Sequence, residues 1–215
     1  MIRLSIDPDD LGPDSLHAAV EVLRSGGIVA YPTESSYGLG ADVRIKAACE
    51  RIYEIKSRNP KDPLPVLVPR SDYLDRWGQS VSDAARRLAR AFWPGGLTIV
   101  VKAKPEVPKH VLSETGCVGL RFPGHPVALT LVKRLGSPIT ATSANRSGEP
   151  AITTGSDIRA DLLEGVDLVL DGGTTPGAPA STVVDAVSET IVVIRRGPVT
   201  LEMIESVVRN GKIAI

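Results

Sequence analysis

The chain has 215 residues, enough for one large domain or two small ones with a sizeable core. Lys plus Arg and Asp plus Glu are 25 each, a balance that argues against a constitutive basic nucleic-acid binder and leaves room only for a local patch. No apolar run reaches membrane-spanning length, and the start MIRLSIDPDD lacks the apolar segment of a secretory signal; with aromatics at 4%, the core must be built mainly from Val, Leu, Ile and Ala.

Residues 13–27 read as a helix with Leu16, Ala19, Val20 and Leu23 on one face, ended by Gly26-Gly27. IVAYP (28–32) reads as a buried strand that runs into TESSYGLG, a stretch rich in hydroxyls and glycines. Residues 43–58 are helical, with Ile45, Ala48, Ile52 and Ile55 on one stripe. LPVLV (64–68) is a short strand. A helix follows over 81–92 with Ser82 as N-cap, stopped by WPGG. LTIVVKA and CVGLRF are strands. The next helix starts at Pro126 and stops at Gly136. PITATSA is a strand that enters a polar loop, Asn145 to Gly155, expected to be the most mobile segment. A helix from about Ser156, strands in 167–171, 181–187 and 190–197, and a helix over 201–211 complete the chain.

Helices and strands alternate through the first two thirds, and three strands follow one another near the end. The pattern predicts an α/β fold in a single domain, 1–215, with a twisted, mixed parallel and antiparallel sheet and flanking helices. Cys49 and Cys117 form no CxxC and have no histidine at metal spacing. They read as reduced, buried thiols of a cytoplasmic protein.

Chemistry-bearing residues gather where strands end, the usual place for ligands in open α/β sheets. GLGADV lacks the third glycine of a dinucleotide fingerprint, and GxxxxGK[ST] is absent. Lys56 and Arg58 sit at a helix end, where two cations can grip a polyphosphate or simply complement the helix dipole. TSAN at 142–145 can donate to phosphate oxygens or form an ordinary Ser/Asn turn. Arg121 lies in an apolar strand and needs a counter-ion, a carboxylate of the protein or of a ligand. His17 and His125 read as structural, and no nucleophile signature or metal cage appears. This inventory fits positioning and charge stabilisation.

Taken in order, SGGIVAYPTESSYGLG, KSR with DPLPVLV, FWPGGLTIVV, VGLRFPGHPVALTL, TSANRSGEP, ASTVVD and VIRRG resemble the YrdC family, the L-threonylcarbamoyl-adenylate synthases, from about Ser25 to Gly197. The resemblance implies a nucleotidyltransferase that joins L-threonine, bicarbonate or CO2 and ATP into threonylcarbamoyl-AMP, with release of pyrophosphate and with Mg²⁺ accompanying the ATP. It also implies a separate transferase system that places the group on the tRNA adenosine beside the anticodon. By match to the family's motifs, Lys56, Arg58, Ser143 and Asn145 are the catalytic and ATP-binding cluster. Thr33, Arg121 and Ser181 are the threonine-binding residues, with Arg121 on the carboxylate, and Arg195 is a further ATP-binding residue.

The chain departs from the family pattern in three places. Ser35 stands for a second threonine, Leu67 for a histidine common in members, and Arg196 for a proline. Longer relatives carry a C-terminal domain, and this chain is expected to be the single-domain form. Rival readings are an RNA-binding module, for which weak RNA or tRNA binding is the signature, and a paralogue acting on another carbamoyl or acyl substrate.

Overall fold

The computed structural model describes all residues except 13, 15, 159–163, 209–212 and 215. Strands β1 (Ile2–Ser5), β2 (Val29–Pro32), β3 (Tyr37–Gly40), β4 (Val66–Leu67), β5 (Leu97–Lys102), β6 (Cys117–Arg121), β7 (Ile139–Thr140), β8 (Thr142–Ser143), β9 (Leu168–Asp171), β10 (Thr182–Asp185), β11 (Ile191–Arg195) and β12 (Ile213–Ala214) are interleaved with helices. The helices are α1 (His17–Arg24), α2 (Lys46–Lys56), α3 (Tyr73–Trp77), α4 (Asp83–Phe92), α5 (Pro126–Leu135) and α6 (Leu201–Val208).

The α/β class and the mixed pairing match expectation, with the strands divided between two sheets. One runs β1-β9-β2-β3-β8 and the other β12-β11-β10-β5-β6-β4-β7, and each contains parallel and antiparallel pairs. The division occurs at a single residue. β7 pairs with β4 in the second sheet and β8 with β3 in the first, and Ala141 between them donates its N–H to Pro65 O at 2.7 Å. Thr140 stitches the crossing. Its N–H donates to Ala41 O at 3.0 Å and its Oγ1 to Leu39 O at 3.1 Å.

Period-two alternation explains how the first sheet is packed on both faces. Val29, Tyr31, Leu168 and Leu170 join α1 and α5 in one apolar cluster, whereas Ala30, Leu39 and Val169 join the other, which includes residues of α2, α4 and the second sheet. Tyr31 pairs directly with Gly38. A Cβ on Gly38 would stand 3.1 Å from the Tyr31 ring, and one on Gly40 would stand 2.9 Å from it. These glycines therefore make room for an aromatic ring inside a β-ladder, as close packing demands.

Helix ends follow the local chemistry. Ser82 caps α4 by accepting from Ala85 N–H at 3.1 Å, as read from sequence. Gly136 ends α5 with φ 72°. Of the helix expected from Ser156, only a short 3-10 turn at Gly155–Asp157 is seen, and the rest lies outside the described residues, as do 209–211 of the last expected helix. Cys49 and Cys117 are buried free thiols, and burial pushes the Cys49 pKa up to about 12. Among the described residues no helix is long and apolar enough to cross a membrane.

Candidate active site

A cleft of about 350 Å³ opens between the two sheets, beside the crossing at Ala141. The second sheet brings Leu67, Arg121 and Arg195 from strand C-termini, and Thr98 and Ser181 from the start of the antiparallel or following strands. The β2–β3 hairpin contributes Thr33 to Gly38, and β8 contributes Thr142 and Ser143. Six of the sequence-predicted residues thus line one space: Thr33, Arg58, Arg121, Ser143, Ser181 and Arg195.

Thr33 is held by its own turn. Its hydroxyl donates to Ser36 O at 2.6 Å and lies 3.3 Å from the N–H groups of Ser35 and Ser36, which it accepts. The polar stretch after β2 is therefore a self-capped turn whose rim faces the cleft. Ser181 is 7% exposed and already engaged: its Oγ lies 2.9 Å from Thr98 Oγ1 and accepts from Arg195 Nη2 at 3.0 Å. Arg195 also donates Nε and Nη2 to Ser181 O. Partial burial, and after it the Arg121 charge, hold the Arg195 pKa below its ordinary value.

Arg121 has found its counter-ion in Glu34. Nη2 donates to Glu34 Oε2 at 2.6 Å, and Nε donates to Gly95 O at 2.9 Å. The side-on fork of the guanidinium is thereby used within the protein. Burial alone would raise the Glu34 pKa, but the Arg121 charge and the hydrogen bonds to the carboxylate outweigh it and hold that pKa below its ordinary value. Glu34 was missed in the sequence. An acid in the same motif as the hydroxyls, in a chain whose Arg121 lacks a partner, was the signal that could have found it.

Lys56 and Asn145 lie behind the cleft rather than on its wall. Lys56 is 2% exposed, four residues after Ile52, and so continues the buried stripe of α2. Neither an exposed grip on a polyphosphate nor simple pairing with the helix dipole, the two roles read from its place at a helix end, describes so buried a cation. Its Nζ donates to the carbonyls of Ser143 and Asn145, each at 2.5 Å, and its own carbonyl accepts from Ser147 N–H at 3.0 Å. Lys56 thus pins the main chain that carries Ser143. Burial, and secondarily the nearby Arg58 charge, depress its pKa to about 8. Asn145 donates Nδ2 to Arg146 O and Glu149 O, while its buried Oδ1 has no partner among the described residues. Arg58 reaches the cleft while donating to Asp62 O and Pro63 O in its own proline-bound loop.

Glu34 is the one carboxylate on the described lining, and it is fully engaged. Among the described residues no group of three or more His, Cys, Asp or Glu could hold a metal. This donor set suits Mg²⁺ that is held by phosphate oxygens and water, not by a protein cage. Leu67, 2% exposed, puts an apolar side chain where a histidine was expected from the family pattern.

Comparison with known proteins gives this cleft a family. The Sua5/YciO/YrdC model, described as "Telomere recombination", matches residues 21–197. The chain is 36% identical over 200 residues to the threonylcarbamoyl-AMP synthase of Pyrococcus abyssi, covering 93% of this chain and 58% of that protein. It superimposes on P. abyssi Sua5 complexed with L-threonine with a TM-score of 0.89 at 33% identity, covering 99% of this chain and 62% of that one. It also superimposes on Escherichia coli YciO with a TM-score of 0.84 at 32% identity, over 92% and 97% of the two chains. The chain therefore spans little more than half the length of the P. abyssi synthase and nearly all of YciO. The motif order read from the sequence, the two-sheet cleft and these matches agree: the chain belongs to the Sua5/YciO/YrdC family.

Proposed function

We propose that the cleft makes threonylcarbamoyl-AMP from L-threonine, bicarbonate or CO2, and ATP. The observation that carries this reading is the convergence of Arg58, Arg121 and Arg195 with the Ser143 and Ser181 hydroxyls in one space. Its frame is also that of a Sua5 chain complexed with L-threonine. Threonine's amine adds CO2 to give a carbamate. A carbamate oxygen then attacks the α-phosphorus of ATP, the bond to the β-phosphate oxygen breaks, and pyrophosphate leaves. Mg²⁺ supplies charge neutralisation when it arrives on the triphosphate.

The protein's part is positioning and electrostatics. Arg58 and Arg195 offset phosphate charge, and the Ser143 hydroxyl orients the α-phosphate. Lys56 and Asn145, assigned to the ATP cluster by motif, act by fixing the 143–147 main chain, and the Lys56 charge adds to the positive field from below. Thr33 and Ser181 face the amino-acid side chain, and Arg121 its carboxylate. Carbamate formation is assigned no protein base. The product passes to a separate threonylcarbamoyl transferase system for the tRNA adenosine beside the anticodon, and the reaction is placed in the cytoplasm.

Omission of one substrate at a time tests the reading. Pyrophosphate release should require L-threonine, bicarbonate and Mg²⁺ together, and equal ATP turnover without threonine would reject it. The rival reading is a paralogue whose cleft takes another carbamoyl or acyl substrate, and the near-complete match to YciO is as compatible with it as with the first. A panel of amino acids that leaves threonine no better than the others would support that reading.

A further inference from the structure

The Glu34 carboxylate is surrounded by groups from other segments. Oε2 accepts from Arg121 Nη2 at 2.6 Å, and Oε1 accepts the N–H groups of Gly124 at 2.8 Å and His125 at 3.0 Å. Those N–H groups belong to the two residues that lead into α5, His125 being its N-cap, so the carboxylate also sits beside the positive end of a ten-residue helix. Gly124 lets the backbone come this close, because a Cβ there would stand 3.1 Å from Glu34 Oε1 and 3.3 Å from the Gly95 backbone. Arg121 continues the tie to Gly95 O. One connected path therefore links the hairpin of the first sheet, the end of β6, the 95–96 turn and the start of α5 across the floor of the cleft.

This arrangement has the chemistry of a carboxylate-recognition site, a guanidinium and a helix N-terminus, filled by the protein's own carboxylate. Arg121 consequently enters the cleft as half of a neutral pair. Its Nε and one arm of Nη2 are taken, and Nη1 makes no hydrogen bond with the described residues. Loss of the Glu34 charge would leave a partly buried guanidinium without its counter-ion and free to turn.

We propose that Glu34 is a positioning residue for amino-acid binding: it is the permanent counter-ion of Arg121 and fixes that guanidinium so that Nη1 is the donor offered to the substrate carboxylate. The inference rests on the threonine-dependent reading above, and its test is separable from it. Glu34→Gln keeps the side-chain shape and an acceptor for the backbone N–H groups but removes the charge that holds Arg121. The Nε–H resonance of Arg121 in the ligand-free protein, identified by its absence in Arg121→Lys, reports the lock directly without any substrate. It should shift or broaden in Glu34→Gln and return partway in Glu34→Asp.

In turnover, Glu34→Gln should raise KM for threonine by about tenfold or more while kcat and KM for ATP stay within about threefold. An Arg121 Nε–H resonance unmoved in Glu34→Gln overturns the lock. A uniform fall in turnover that tracks the folded fraction, with KM for threonine unchanged, reduces Glu34 to a structural contact and overturns the positioning role. If the wild-type protein shows no threonine-dependent turnover, the parent reading fails, and the resonance alone decides whether Glu34 holds Arg121.

Discussion

Replacing Lys56 with Met tests the buried latch beneath the cleft. Methionine keeps much of the side-chain volume and removes the ammonium group that serves the Ser143 and Asn145 carbonyls. Two opposed effects follow at neutral pH. The orphaned carbonyls cost about 1–3 kcal/mol each. Relief from burying a charge returns a comparable amount, because the pKa of Lys56 lies near 8 against an ordinary 10.5. The gap between wild type and variant is therefore small at pH 7, and its change with pH is the decisive quantity. Between those two pKa values the unfolded chain binds more protons at this residue than the folded one, so wild-type stability rises with pH. By pH 9 the folded amine has lost its charge over about one pH unit, worth about 1.4 kcal/mol, or about 3–6 °C in Tm for a chain of this size. The neutral amine still donates two hydrogen bonds, so nothing is lost in exchange. Scanning calorimetry of both proteins at pH 7 and pH 9 cancels the other titrating groups in the difference. The wild-type advantage should widen at pH 9. An advantage that stays constant or shrinks refutes the burial of a charge-disfavoured lysine.

Arg58→Ala should lower kcat/KM for ATP by roughly 10²–10³, the scale of one lost oxyanion-stabilising donor, with Tm nearly unchanged because its bonds stay within its own loop; a variant that loses stability while keeping full activity per folded molecule would assign it to helix-end stability. Gly40→Ala should destabilise by about 1–3 kcal/mol through contact with the Tyr31 ring and Ile139, read by chemical denaturation, and a neutral result would show that the ring can move aside. Glu34 is held below its ordinary value of 4.5, so the stability it contributes is present above that value and lost as pH falls through the lower folded one. The Tm difference between wild type and Glu34→Gln should accordingly shrink on acidification below about pH 4.5, and a difference flat down to the acid limit would contradict the pairing. Among amino acids, threonine should exceed serine by about 10–200-fold in kcat/KM, one methyl group's worth, with valine below both; valine above serine would remove the hydroxyl-reading role from Thr33 and Ser181.

Strongly periodic segments were legible from the sequence alone. The apolar stripe of α1 is buried as read, that of α2 is buried at Ala48 and Ile52 and partly buried at Ile45 and Ile55, and the Ser82 cap and the Gly136 stop lie where their chemistry requires. Other features had no local signal. β3 is Tyr37–Gly40, and its glycines argue against a strand until the Tyr31 ring opposite them is known. The change of sheet at Ala141 depends on which neighbours each side of a short segment finds, and hydrophobic period does not encode that. Lys56 misleads because a cation at a helix end normally faces solvent, although its spacing from Ile52 put it on the buried stripe. At the site, the motifs identified six residues that gather at the cleft, with Lys56 and Asn145 behind it and Glu34 missed. The missing information was pairwise: Arg121 with Glu34, Ser181 with Thr98 and Arg195, and Lys56 with two main-chain carbonyls.

The most direct measurement of the central claim is mass spectrometry of the product after incubation with ATP, Mg²⁺, ¹³C-bicarbonate and L-threonine. The account predicts threonylcarbamoyl-AMP carrying one ¹³C, formed in equal amount to pyrophosphate and absent when threonine is omitted. ATP consumption that yields only ADP or AMP, unchanged by threonine, would contradict it.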